Sequence, residues 1–170
     1  MSLITNQFFI GFCVNFILIY IFCKIPLMTK GGWISAGVLG TILWGCLYWR
    51  GWMSVVIYLL LGSLVTKIGY KFKKERGIAE KRGGRRGPEN VWGSAATGLF
   101  LAMMTKFNLA NEVLFKIGFA ASFSAKLADT FGSEIGKRFG KDTYLITSLK
   151  KVERGTEGGI SIEGTLASVL

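Results

Sequence analysis

The sequence predicts an all-α, polytopic bundle of transmembrane helices with cytoplasmic glycine-rich loops, and three observations predict it. Hydrophobic residues make up 51% of the 170, and the mean hydropathy is +0.43. The apolar residues fall in continuous runs, not in the alternating faces of a soluble domain. The positive charge, +11 in total, is concentrated in one connecting segment.

The first run, Leu3 to Phe22, is long enough to span despite Asn6, Gln7 and Asn15. No cation precedes it, so it lacks the basic start of a cleaved signal peptide, and Lys24 follows it. Later runs cover Trp33–Trp49, Trp52–Ile68, Val91–Thr105 and Val113–Ala128. The expected spans are therefore 3–23, 32–49, 52–69, 91–106 and 112–128, within a single integral membrane domain over 1–170. Several are shorter than the ~20 residues that cross a bilayer core, and such runs span when their ends sit in the interfaces or protein surrounds them. A sixth run starts at 163–170 and reads as a segment continued or completed by another chain. Gly37, Gly40, Gly45, Gly62 and Ser63 would let helices approach closely. The tryptophans at 33, 44, 49 and 52 suit interfacial belts and packing.

Charge sets the topology. Residues 1–66 carry +3, residues 67–88 carry +7 and residues 89–170 carry +1. The positive-inside rule makes the 70–90 loop cytoplasmic. Counting spans then places 129–162 on the same side, the Arg50-Gly51 connection opposite, and the N-terminus outside. The protein so described is a multi-pass component of a plasma or thylakoid membrane.

Composition also excludes chemistry. The chain has no histidine, which removes Ser-His-Asp and Cys-His nucleophiles, HExxH zinc sites and imidazole bases. Cys13, Cys23 and Cys46 lie in or beside apolar runs at no metal-binding spacing, as packing residues do. Neither GxxxxGK[ST] nor a strand-borne GxGxxG is present. Catalysis would fall to carboxylates, cations, hydroxyls, backbone amides and bound metal.

The polar stretch Ala128–Thr165 carries those groups beside apolar runs, where polarity is costly and marks sites. Asp129 and Glu134 are oxygen ligands suited to Mg²⁺, and a helix break at Gly132 would bring them together. On a continuous helix, Lys126, Asp129 or Thr130, Ser133 and Lys137 share a side. The Gly155-Thr156-Glu157-Gly158-Gly159-Ile160-Ser161 loop allows N–H groups to converge on anionic oxygens. Gly164 and Thr165 open the last apolar run, whose helix N-terminus favours phosphate. In the basic loop, Arg82, Arg85 and Arg86 stand among Gly83, Gly84 and Gly87; they read as a phosphate clamp or as a topogenic, lipid-touching patch. Asn90 is a candidate helix N-cap beside that clamp. The combination points to phosphoryl-group chemistry or phosphate binding.

Four segments, ADTFGSEIG (128–136), LIT (145–147), GTEGGIS (155–161) and GTLAS (164–168), resemble the signature of the membrane family that contains transmembrane protein 19 and plant phytyl-phosphate kinase. AEKRGGRRGPENVWG (79–93) resembles that family's other shared block, and dolichol and phytol kinases are more distantly similar. The resemblance covers roughly the last hundred residues. It implies transfer from a nucleoside triphosphate, with CTP the indicated donor, to a prenyl monophosphate such as phytyl phosphate. It places Asp129 and Glu134 at acidic positions assigned to metal, and the residues themselves make Asp129 and Lys137 the catalytic candidates. The resemblance places Gly155, Thr156, Gly158, Gly159 and Ser161 in a phosphate-binding loop and Arg82, Arg85 and Arg86 in the basic block; the residue reading adds Glu157, Gly164, Thr165 and Asn90 to the nucleotide- and phosphate-binding set. Chains of that family ordinarily continue past Leu170. The implied partners are the bilayer, an isoprenyl phosphate and a nucleotide, not nucleic acid, and a homo-oligomer is compatible with the sequence. The competing class is a transporter or lipid-handling protein binding phosphate-bearing ligands without catalysis. A structural subunit completed by a partner is the third reading. The DTFGSEIG block has no convincing copy in the first half, which weighs against the inverted repeats common in transporters.

Overall fold

A computed structural model describes residues 2–107 and 111–169. The chain is mostly helical, in the order α1 (Ser2–Phe22), α2 (Lys30–Lys67), α3 (Tyr70–Glu75), a 3₁₀ turn (Lys81–Gly84), α4 (Pro88–Phe107), α5 (Glu112–Phe139), β1 (Thr143–Leu145), β2 (Lys151–Val152), β3 (Gly159–Ile160) and α6 (Ile162–Val169). The spans expected at 32–49 and 52–69 form α2 as two helical arms that part at Tyr48 (φ 56, ψ −161), near the expected Arg50-Gly51 connection. The second arm returns beside the first, since Met28, just before the first arm, and Tyr58, in the second, both meet Arg86. Two expectations change. The stretch expected as a 129–162 loop begins as helix, because α5 runs unbroken through Gly132 to Phe139. The remainder holds a small antiparallel sheet of order β2-β1-β3, so the protein is not purely α. Leu170, the end of the expected sixth run, lies outside the described residues. Among the described residues, α2 is the helix long and apolar enough to cross a membrane, and Asn6–Phe22 of α1 is a shorter apolar helix.

The chain divides into two compact units, Met1–Leu59 with Arg85–Ser124, and Leu60–Gly84 with Ala125–Leu170. In the first unit α1 packs on α2 through small residues. A Cβ on Gly37 would meet Ile19 Cδ1 at 2.8 Å, and one on Gly40 would meet Asn15 Cγ at 2.9 Å. Asn15 is polar yet buried, and it is satisfied there. Its Nδ2 donates to Gly11 O at 2.7 Å and its Oδ1 accepts from Trp52 Nε1 at 3.1 Å. Leu39, Leu43, Trp52, Tyr58, Ala102 and Phe123 form the core of this unit. Phe9, Phe12, Phe16 and Tyr20 of α1 instead face outward, an apolar surface that suits lipid. Gly87 precedes α4 and Pro88 opens it, with no helical N–H to lose. Asn90 is therefore not the N-cap but the third residue of the helix. Its Oδ1 accepts from Gly87 N–H at 2.9 Å, the reciprocal half of a capping box.

In the second unit a glycine face joins α5 to α6. Gly132, Gly136 and Gly140 recur every four residues and present bare backbone. Ser161, Gly164 and Ser168 lie against them: a Cβ on Gly136 would meet Gly164 Cα at 3.7 Å, and one on Gly140 would meet Ser161 Oγ at 2.8 Å. Ser161 also caps α6, its hydroxyl accepting from Gly164 N–H at 3.2 Å. Gly164→Ala is expected to lower the unfolding temperature in detergent, by overpacking worth ~1–3 kcal/mol. Its Cβ would fall 2.6 Å from Gly132 O and 3.2 Å from Gly136 Cα, and backbone cannot rotate away. Thr165→Ala, at an exposed neighbouring position, should leave the transition in place.

Candidate functional site

The second unit is organised around α5. At about 100° per residue, three directions emerge from this helix. Gly132, Gly136 and Gly140 face α6. Glu134 and Arg138 face the α2–α3 joint, where Gly69 has φ +60 and admits the Arg138 side chain. Lys126, Thr130, Ser133 and Lys137 form the ridge between, with Asp129 at its margin.

Glu134 is 2% exposed and Lys73 of α3 is fully buried. The Lys73 ammonium donates to Glu134 Oε2 and to Thr66 O, the latter at 2.8 Å. Lys137 Nζ meets Glu134 Oε1 at 3.3 Å while its own side chain keeps 22% of its exposure. One carboxylate thus lies between two ammonium groups, one buried and one at the surface. Arg138 sits 4.6 Å over the Phe72 ring and 5.0 Å over Phe139, and Arg76 lies 4.3 Å over Phe72. These stacked guanidinium groups fix the α3 flank of the helix.

Asp129 differs from Glu134 in every respect. Its side chain is 67% exposed and meets Lys126 Nζ at 3.2 Å. Because α5 is unbroken, the two carboxylates leave the helix in directions roughly 140° apart. No group of three or more His, Cys, Asp or Glu suited to a metal occurs among the described residues. With Glu134 between two lysines, the donor set does not fit an all-protein cage. Asp129 fits a Mg²⁺ ion that takes one carboxylate, water and the oxygens of a bound phosphate.

The glycine loop is a turn with its own bonding. Thr156 N–H and Oγ1 both donate to Glu153 O, at 3.2 and 2.7 Å, and Gly159 N–H donates to Thr156 O at 3.0 Å. Gly155 has φ +84 and lies where a Cβ would meet Ile78 Cγ2 at 2.6 Å, so glycine is required there twice over. Gly158, at φ +73, stands in open space beside exposed Thr156 and Glu157 at the tip. Tyr144 pairs with Lys151 on one side and Ile160 on the other, fixing the loop to the sheet. Asp142 and Lys151 form a surface pair at 2.5 Å. The hydrogen bond and charge of Lys151 hold the Asp142 carboxyl below its ordinary range, and Asp142 raises Lys151 in turn. The link is therefore lost as acid protonates Asp142 or as base neutralises Lys151. Glu163 Oε1 accepts from Lys141 N–H at 3.2 Å, tying α6 to the end of α5.

The basic block is divided between the units. Arg82 lies in the second unit at φ +56, followed by Gly83 and Gly84 at φ +69 and +75. Arg85 and Arg86 belong to the first. Arg86 stacks 5.4 Å over Tyr58, donates to its hydroxyl at 3.4 Å and pairs in the backbone with Met28. Sequence reasoning passed over Lys73 and the role of Gly132, Gly136 and Gly140. Lys73 gave no signal, being one of several lysines in a basic loop; the Gly-xxx-Gly-xxx-Gly spacing did give one.

The profile of a family described as integral membrane protein DUF92 matches residues 13–170. An uncharacterised membrane protein of Synechocystis is 53% identical over 142 residues, 83% of this chain and 55% of that protein. Protein VTE6, chloroplastic, of Arabidopsis thaliana is 43% identical over 85% of this chain and 46% of its own length. An uncharacterised membrane protein of Methanocaldococcus jannaschii is 34% identical over 91% of this chain and 66% of its own. This chain thus spans about half to two thirds of these curated relatives. No solved structure matches. The matches bear out the family resemblance carried by the sequence blocks.

Proposed function

Because the chain belongs to the DUF92 family of integral membrane proteins, we propose that it is a membrane-embedded kinase acting on an isoprenyl monophosphate. The donor is a nucleoside triphosphate, CTP being the first candidate, and the acceptor is phytyl phosphate or a close analogue. The observation that carries the reading is the Lys73–Glu134–Lys137 array. Glu134 is neutralised from below by a buried lysine and holds a second lysine at the surface of the α5 ridge. A cation positioned in that way costs no reorganisation when charge develops on a transferring phosphoryl group.

In the proposed reaction an acceptor phosphate oxygen attacks the terminal phosphorus of the nucleotide. The bond from that phosphorus to the bridging oxygen breaks, leaving a prenyl diphosphate and a nucleoside diphosphate. The acceptor is already an anion, so no strong base is needed, in keeping with a chain that has no histidine. Lys137 holds phosphate oxygens, and Lys126 adds charge along the same ridge. Mg²⁺ at Asp129 would neutralise charge on the nucleotide oxygens. The exposed tip at Thr156, Glu157 and Gly158, with Arg82 of the same unit, would contact the nucleotide. Glu134 positions Lys137 and takes no part in metal binding. Ser161, Gly164 and Asn90 hold the architecture.

The test is the purified protein in nanodiscs with phytyl phosphate, Mg²⁺ and each labelled nucleoside triphosphate in turn. Labelled phytyl diphosphate is expected, with CTP giving the highest kcat/KM. No product with any nucleotide, together with no binding of the Mg²⁺-nucleotide, would overturn the assignment and leave phosphate binding without transfer.

A further inference from the structure

We propose that the cavity at the Tyr48 kink, in the first unit, binds the headgroup of an anionic phospholipid. The cavity measures about 890 Å³ and is lined by Tyr48, Arg50, Thr105, Lys106, Glu112 and Lys116 among others. Three cations converge on it against one carboxylate. Lys116 is joined to Glu112, Lys106 lies 5.4 Å over the Tyr48 ring, and Arg50 lies 5.6 Å over Trp49. The excess is positive, and the Arg50 fork matches phosphate oxygens in the way a lysine cannot.

Depth agrees with a headgroup. The cavity takes in Lys106 near the end of α4, and that helix has 20 residues, about 30 Å from Pro88 to Phe107. That length equals the hydrocarbon core of a bilayer, so with α4 as the span expected from the 91–106 run, its Lys106 end falls at an interface. Trp49 of the lining and, next to lining residues in the chain, Phe107, Val113 and Leu114 are exposed and suit acyl chains. An amphiphile satisfies both parts; free phosphate satisfies one.

The backbone gives an independent indication. Tyr48 has φ +56 and ψ −161, a conformation that costs a residue with a Cβ about 1–3 kcal/mol. Such strain persists where surroundings impose it, and it recurs at ligand clamps. Here it turns the Tyr48 ring under Lys106 and opens α2 at the cavity wall. None of these residues takes part in the proposed phosphoryl transfer.

The experiment is binding of short-chain phosphatidylglycerol to the detergent-purified protein, read by native mass spectrometry and Trp fluorescence. Phosphatidylcholine with the same chains and inorganic phosphate are the comparison ligands. Phosphatidylglycerol is expected to bind at least tenfold tighter than either. Arg50→Gln with Lys106→Gln should weaken it about tenfold, Lys106→Arg should retain it, and Lys150→Gln, outside the cavity, should change nothing. Equal affinity for phosphatidylcholine, or wild-type affinity in the double variant, overturns the proposal. Equal affinity for inorganic phosphate overturns it in favour of a free-anion site. If the double variant does not fold, Lys116→Gln at its exposed position decides, with a severalfold loss expected and unchanged affinity counting against the site.

Discussion

Asp129→Asn is expected to reduce turnover about 10²–10³-fold, the scale on which one electrostatic contact to a transition state acts. The substitution is nearly isosteric and removes only the charge. Stability should move by less than about 1 kcal/mol, because the Lys126–Asp129 pair at 3.2 Å is solvent-exposed and such pairs contribute little. The Mg²⁺ concentration for half-maximal nucleotide binding should rise, since the amide is a poorer ligand for a hard cation. Acceptor binding should change less, as the acceptor phosphate is assigned to the lysines. Full turnover at unchanged Mg²⁺ dependence would remove Asp129 from the site and place the ion elsewhere.

What was legible in the sequence, and what was not, follows from how far apart cooperating residues lie. The apolar runs announced the helices because each helix is a local object, with length and composition enough to identify it. Asn90 was recognised as a capping residue but placed at the wrong position: Pro88 starts the helix, so its side chain reaches back instead of forward. The sheet at 143–160 was invisible because its strands have only two or three residues and no alternation to read. Polarity drew attention to the glycines near Asp129, yet Gly132 serves close packing with α6 and does not break the helix. Lys73 was hidden most completely. Its burial depends on Glu134, 61 residues away, and neither local pattern nor charge count reveals which lysine of a basic loop turns inward.

The buried pair makes the second large prediction. Glu134→Ala is expected to destabilise the second unit by about 3–5 kcal/mol, because the fully buried Lys73 ammonium would lose its counterion. Against a total stability of ~5–15 kcal/mol that is a large fraction, visible in chemical denaturation or as a much lower unfolding temperature. Thr66 O would remain as a hydrogen-bond acceptor at 2.8 Å, but a carbonyl dipole does not replace a charge. Removing both charges should behave differently. In Lys73→Met with Glu134→Leu the site becomes apolar, and replacements of that kind are often neutral or stabilising. Most of the loss should therefore be recovered, so the double-mutant cycle will show strong coupling between positions on α3 and α5. Function should not recover with stability. Lys137 has lost the carboxylate that held it at 3.3 Å, so the acceptor KM should rise and kcat fall in a protein that is folded. Wild-type kinetics in the stable double variant would make the array purely architectural. Lost kinetics with restored stability would assign Glu134 to the positioning of Lys137.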